Sequence, residues 1–200
     1  MQIVVLANDV VFKTIKETNP AVNWVNVADT ASFSAYPDAD AFFDLTENAA
    51  VNDHPVNGKP LFINSVTAGL PVGKKATRIN GWNGFLQHTT WEVAGHVSEK
   101  EKEILAALNK TIIECADEPG FIAARIIAMI INEAYFAKGE NVSTEAEIDI
   151  AMKLGTNYPY GPFEWAEKIG IQQVYELLLQ LAKQDARYQP SPSLTQKATG

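Results

Sequence analysis

A histidine held by a carboxylate is the simplest device for moving a proton near neutral pH, because imidazole titrates there and the carboxylate can fix its tautomer. This sequence has three histidines, His54, His88 and His96. His88 reads either as a base that a carboxylate would have to orient or as a half-exposed loop histidine that moves no proton. His54 and His96 read as surface residues, and nothing places them in a His/carboxylate metal constellation. The single cysteine, Cys115, excludes an intramolecular disulfide and a multi-cysteine metal site, and reads as a small core residue on a helix. Lys74-Lys75 could meet a phosphate or form a solvated turn. Asp38 and Asp40 read as solvated loop charges. Trp82, Trp91 and Trp165 with Phe85 could line a pocket, although buried aromatics are ordinarily core.

The elements that must position these groups fall into two stretches. Up to residue 95 the pattern is short strands separated by helix or loop. "QIVVLA" (2–7) is the continuous apolar run of a buried parallel strand. A short helix over 9–17 precedes Asn19-Pro20. "VNWVNV" (22–27), "DAFFDL" (40–45) and "KPLFINSV" (59–66) read as further strands, and "KATRINGWNGF" (75–85) as one weakened by glycine. This is the rhythm of an open α/β sheet. From residue 96 the pattern is helical. "SEKE" (98–101) and "TEAE" (144–147) are capping boxes. Ile104, Leu108, Ile112 and Cys115 follow the first at helical spacing. "FIAARIIAMIIN" (121–132) has only Arg125 and Asn132 as polar residues, and Gly139 is its expected C-cap. A helix ends at Gly155, "NYPYGPFEW" enters another, and Val174, Leu177, Leu178 and Leu181 stripe a third. The expected domains are therefore 1–95 and 96–188, followed by a tail at 189–200 without periodicity.

The net charge of −8 is spread along the chain, with no basic run longer than Lys74-Lys75, so neither nucleic acid nor an anionic membrane is an expected partner. The apolar stretch at 121 falls short of the roughly 20 residues a membrane span needs. "MQIVVLAND" has no basic lead and does not read as a signal peptide. A cytoplasmic location is expected.

The helical half resembles the C-terminal domain of the 3-hydroxyacyl-CoA dehydrogenase family. The resemblance rests on Pro119 to Ile122, Arg125, Asn132-Glu133-Ala134, Ile148-Asp149, Pro159-Tyr160-Gly161-Pro162-Phe163, Ile169-Gly170 and "ARYQPSPSL". It implies an all-helical domain whose central helix, over 121–132, also packs against a partner subunit and is enclosed on most sides. A homodimer through this domain is expected. The first half resembles the family's nucleotide-binding domain in shortened form. Its landmarks are the carboxylate-terminated strand before Glu47-Asn48, "FINSVT" and "RINGWNGFLQHTTWEVAG". The fold class implied is a reduced Rossmann-like parallel sheet followed by an all-helical domain.

The resemblance also implies a chemistry, NAD-dependent hydride transfer on a 3-hydroxyacyl-CoA, and sites for it. Glu47 and Asn48 fall at a cofactor-binding position. Ser65 or Thr67, flanking Val66, falls at a substrate-contacting serine. Glu92 matches the catalytic glutamate. The catalytic histidine position holds Asn83, which leaves His88 as a displaced candidate, and the active-site asparagine position holds Ala124. A dinucleotide cradle needs glycines that let backbone N–H groups approach the pyrophosphate, yet residues 1–57 contain none. Asn8 could enter a left-handed turn there, but Asp9 would set a negative charge beside a phosphate. The first expectation is a protein that has lost hydride transfer, needs no cofactor, and binds acyl-CoA or serves in assembly within acyl-CoA metabolism. The second is an active enzyme of atypical form using NAD, with His88 and Glu92 as the pair. The third is an unrelated small-ligand binder using the cleft between domains.

Overall fold

The computed structural model describes residues Met1–Gly200, which form two compact units, Met1–Phe121 and Ile122–Gly200. No helix is long and apolar enough to cross a membrane.

The first unit is a seven-stranded sheet. In chain order its elements are β1 (Gln2–Leu6), α1 (Asp9–Thr18), β2 (Asn23–Val27), β3 (Ala41–Asp44), β4 (Leu61–Asn64), β5 (Thr77–Ile79), β6 (Thr90–Gly95), α2 (Glu99–Ala107) and β7 (Thr111–Glu114). The strand order is β2-β1-β3-β4-β5-β6-β7. The first five strands run parallel, β6 is antiparallel to β5, and β7 is parallel to β6. Side chains alternate across the sheet, as a period of two requires. Ile3, Val5, Phe43 and Phe62 pack on one face with Ile15 of α1 and Leu105 of α2. Val4, Leu6, Phe42, Leu61 and Ile63 pack on the other with Phe33 and Ala49, from the short helical turns Ala31–Ala35 and Ala49–Val51. Both faces are covered, which is why the strands read as unbroken apolar runs. Phe43 and Phe62 stack with ring centroids 4.5 Å apart, and each such buried ring contributes about 2–3 kcal/mol.

Two expectations for residues 96–121 are corrected. The break falls after Phe121, not at 95, because α2 and β7 belong to the sheet unit. The periodicity over 104–115 does not continue as one helix. α2 stops at Ala107, Asn109 takes a left-handed turn (φ 55°), and the β-branched run Thr111-Ile112-Ile113 pairs with β6. Cys115 consequently follows a strand and is partly exposed.

The second unit contains α3 (Ala123–Gly139), α4 (Glu145–Thr156), α5 (Pro162–Ile169), α6 (Ile171–Ala182) and α7 (Pro192–Thr199). α4 opens on the expected capping box: the Thr144 hydroxyl accepts from the Glu147 N–H (3.3 Å) and the Glu147 carboxylate accepts from the Thr144 N–H (3.2 Å). The motif Ile148-Asp149…Gly161-Pro162-Phe163 has a local cause. Asp149 is buried and reaches across to cap α5, accepting the N–H groups of Phe163 (2.8 Å) and Glu164 (3.2 Å). α3 buries Ala124, Ile127, Ala128, Ile131, Asn132, Ala134 and Tyr135. Ile126 and Phe136 of the same helix are exposed, so within one chain the helix is not enclosed on all sides.

Residues 189–200, expected as a tail, are tied into this unit. The Asn132 amide donates to Gln189 O (3.0 Å) and its oxygen accepts from Ser191 N–H (2.8 Å). Ser191 then caps α7 through the Leu194 N–H (3.1 Å), and Leu194 is fully buried. A serine N-cap followed by proline at the first helical position is a start signal that the sequence does carry; the helix is simply too short for periodicity to reveal.

Candidate functional site

Ligands of open α/β sheets bind beyond the carboxyl ends of the strands, where the strand order reverses. Here that point lies between β1 and β3. The Asn26 side chain fixes the backbone leaving β1, accepting from Ala7 N–H (3.3 Å) and donating to Ala7 O (3.2 Å). Asn8 does not enter the left-handed region; at φ −69° it is the N-cap of α1, and its side-chain oxygen accepts the Val11 N–H at 2.9 Å. Asp9 stands exposed in the first turn. A helix N-terminus attracts a pyrophosphate through free N–H groups and its positive end. This one has a donor engaged by its own cap and a carboxylate beside it. The residues present do not fit a dinucleotide in the usual manner.

One strand over, the candidates at 47, 48, 65 and 67 lie on neighbouring loops. Thr67 donates its hydroxyl to the Asn48 side chain (2.8 Å), and Asn48 is held in a left-handed conformation (φ 55°). Glu47 is exposed. The Ser65 hydroxyl turns back onto Ala68 O (2.9 Å) in a buried setting, and Val66 is buried beside it. The Ser65 carbonyl accepts two bonds from Arg78, from Nε (2.9 Å) and Nη2 (2.7 Å). Arg78 is wholly buried, pairs with Asp117 at 2.6 Å, reaches Glu118 O (3.2 Å) and lies 4.7 Å from the centroid of the Phe121 ring. It fastens the β4 and β5 ends to the last segment of the unit.

At the next position Glu92 of β6 accepts a hydrogen bond from the Asn80 amide (3.0 Å). Asn80 is buried and is a partner that sequence spacing did not suggest. Asn83 is exposed. His88 is exposed too, its ring edge-on to Phe85 at 6.3 Å rather than hydrogen-bonded to Glu92. The structure therefore does not assemble the His88–Glu92 pair. The loop carrying Asn83 and His88 is braced from below by Lys110, whose ammonium donates to Leu86 O (3.1 Å) and His88 O (2.9 Å) and sits 4.6 Å from the centroid of the Trp91 ring. Trp82, Trp91 and Trp165 are buried, as core aromatics are. In the helical unit Ala124 is fully buried on α3.

The one histidine that does meet a carboxylate is His54, and the expectation that it lies on the surface is overturned. Its side chain is 2% exposed. Nε2 lies 2.9 Å from the wholly buried Asp44 carboxylate at the end of β3, and Nδ1 lies 3.0 Å from the Lys74 ammonium. Lys74 also donates to Asn52 O and is half-buried, whereas Lys75 is the solvated residue of the pair. Asp44 further accepts from Thr46 N–H (3.0 Å), the Thr46 hydroxyl (2.5 Å) and the Asn52 amide (2.8 Å). Burial on its own would raise the Asp44 carboxyl, but the bonds from His54, Thr46 and Asn52 outweigh it and hold the group below the ordinary carboxylate range. A carboxyl depressed in the fold stabilises it fully above the ordinary pKa of 3.8 and loses that contribution as the pH falls further, through the depressed value. Asp44→Asn is therefore expected to unfold with a shallower acid dependence below pH 3.8, by up to one proton. Acid titration followed by circular dichroism checks this, and an unchanged slope contradicts it.

Residues 120–199 match the family model described as "3-hydroxyacyl-CoA dehydrogenase, C-terminal domain". A 3-hydroxyadipyl-CoA dehydrogenase of Escherichia coli (strain K12) is 46% identical over 91 residues, 44% of this chain and 19% of that protein. A probable 3-hydroxybutyryl-CoA dehydrogenase of Bacillus subtilis (strain 168) is 33% identical over 153 residues, 75% of this chain and 49% of that one. The chain thus spans half or less of the length of these relatives. Among solved structures, 3-hydroxybutyryl-CoA dehydrogenase from Escherichia coli K12 superposes with a TM-score of 0.59 at 32% identity, over 68% of this chain and 31% of that one. The (S)-3-hydroxybutyryl-CoA dehydrogenase of Ralstonia eutropha gives a TM-score of 0.71 over 98% of this chain and 92% of that one; at 17% identity it speaks for the fold alone. Residues 120–199 thus carry the C-terminal domain of the 3-hydroxyacyl-CoA dehydrogenase family, with a shortened Rossmann-like sheet before it.

Proposed function

We propose that this chain is a 3-hydroxyacyl-CoA dehydrogenase-like protein that no longer transfers hydride and serves as a binding or assembly protein in acyl-CoA metabolism. The observation that carries this reading is the start of α1, where Asn8 caps the helix that would hold a pyrophosphate and Asp9 adds a negative charge. Two substitutions point the same way. Asn83 at the histidine position cannot exchange a proton near neutral pH, and the buried methyl of Ala124 cannot hydrogen-bond a substrate. The exposed side chains of Ile126 and Phe136 on α3 favour a homodimer through the helical unit. The charge of −8, without a basic patch, argues against nucleic acid as a partner. A single cysteine that makes no disulfide suits the cytoplasm.

The second reading, an active NAD-dependent enzyme of atypical form, draws on the 46% identity to the 3-hydroxyadipyl-CoA dehydrogenase and on the survival of Glu92. Calorimetric titration of the full chain with acetoacetyl-CoA and, separately, with NADH discriminates the two. The proposal expects heat from the CoA ester and none from the dinucleotide. Saturable heat from NADH favours the second reading. Heat from neither removes acyl-CoA as the ligand.

A further inference from the structure

The Asp44–His54–Lys74 chain has no part in the family chemistry considered above. Its geometry is that of an activated nucleophile: a nucleophilic atom within hydrogen-bond reach of a base, and the base oriented by a third group. Lys74 Nζ lies 3.0 Å from His54 Nδ1, and His54 Nε2 lies 2.9 Å from Asp44 Oδ2. Asp44 is fixed by three further bonds from Thr46 and Asn52, and the His54 ring stacks on Phe33 with centroids 6.1 Å apart, so the imidazole is held in place. With Nε2–H donating to Asp44, Nδ1 presents its lone pair to Lys74.

We propose that Lys74 is a histidine-assisted amine nucleophile, a self-acylation site for acyl thioesters. The choice of donor rests on the acyl-CoA reading above; the reactivity of the amine does not. Two acceptors, His54 Nδ1 and Asn52 O, hold Nζ; once the ammonium has lost one proton, its two remaining hydrogens can serve both and its lone pair is turned away from them. The neighbours Val72, Gly73 and Lys75 are exposed, so the loop is open to a small electrophile. Burial pulls the Lys74 ammonium below the ordinary lysine range, against the opposing charges of Asp44 and Asp53, which enlarges the neutral fraction.

Lys74 first gives one proton to solvent. The amine nitrogen attacks the thioester carbonyl and a C–N bond forms. His54 Nδ1 takes a proton from the nitrogen of the tetrahedral adduct, with Asp44 holding the imidazolium. The C–S bond breaks, the thiolate leaves, and His54 returns the proton to it. The products are an amide on Lys74 and a free thiol.

The test is acylation of the full chain by acetyl-CoA at pH 7.5, read for each lysine by peptide mass spectrometry over time. Lys75 is an internal control of the same type on the same loop. The proposal expects Lys74 to be acylated at least about tenfold faster than Lys75, a modest share of what general-base assistance provides. In His54→Gln the excess should disappear. Equal or slower labelling of Lys74 in the unaltered protein overturns the proposal without recourse to any variant. The acetyl thioester of N-acetylcysteamine, which lacks the nucleotide of CoA, separates the two ideas. If it labels Lys74 as well as acetyl-CoA does, the nucleophile stands and recognition of CoA falls. A preference for acetyl-CoA supports both.

Discussion

Arg78→Met is expected to destabilise the sheet unit by about 3–5 kcal/mol, the loss typical when one partner of a buried ionic network is removed. Methionine fills much of the volume and restores none of the bonds. The guanidinium is wholly buried and serves three acceptors at once: Ser65 O, Glu118 O and the Asp117 carboxylate. Removing it takes both Arg78 donors from the buried Ser65 carbonyl, and a carbonyl left unsatisfied costs about 1–3 kcal/mol. Asp117, at 36% side-chain exposure, can turn to water and adds less. Arg78→Lys keeps the charge but not the planar fork, and is expected to recover less than half of the loss. Urea unfolding of the full chain, followed by tryptophan fluorescence, measures both. A loss below about 1 kcal/mol for Arg78→Met would mean that the network is ornamental.

Asp149→Ala is expected to cost the helical unit about 2–3 kcal/mol. The carboxylate is buried and accepts two N–H groups at the start of α5, from Phe163 and Glu164. Alanine leaves both donors without that partner. Gly161 belongs to the same arrangement, since a Cβ placed there would collide with the Asp149 carboxylate. Gly161→Ala alone should therefore destabilise by driving the cap away. In the Asp149→Ala background, where there is no carboxylate to strike, it should cost markedly less. Such coupling is the signature of two residues acting at one place, and a double-mutant cycle by thermal unfolding reads it directly. Strict additivity would contradict the account.

Asp149, fourteen residues before Phe163, stands out only through the family resemblance. Gly161-Pro162 opens a helix start that the sequence displays by itself, because helix starts and turns are local and leave local marks. The strand runs at Ile3–Leu6, Ala41–Asp44 and Leu61–Asn64 are legible for the same reason: burial on both faces leaves unbroken apolar residues. β7 is not, because Ile104, Leu108 and Ile112 mimic a helix until Asn109 turns left-handed. The domain break moves with it. α7 is hidden by its shortness, although Ser191-Pro192 announces it. The site candidates fare less well. Glu92 meets Asn80, twelve residues away, rather than His88 at four. His54, twenty residues from Lys74 and ten from Asp44, comes together with both only when the loops after β3 and β4 fold back. No spacing rule reaches across such loops, and charge alone makes Lys74 indistinguishable from Lys75.

The central claim, that the scaffold of a dehydrogenase persists here without its hydride chemistry, is tested most directly by mixing the full chain with NADH and acetoacetyl-CoA and following the absorbance of the nicotinamide. The account predicts no consumption above the protein-free rate. Steady consumption of NADH that disappears in His88→Ala or Glu92→Gln would contradict it.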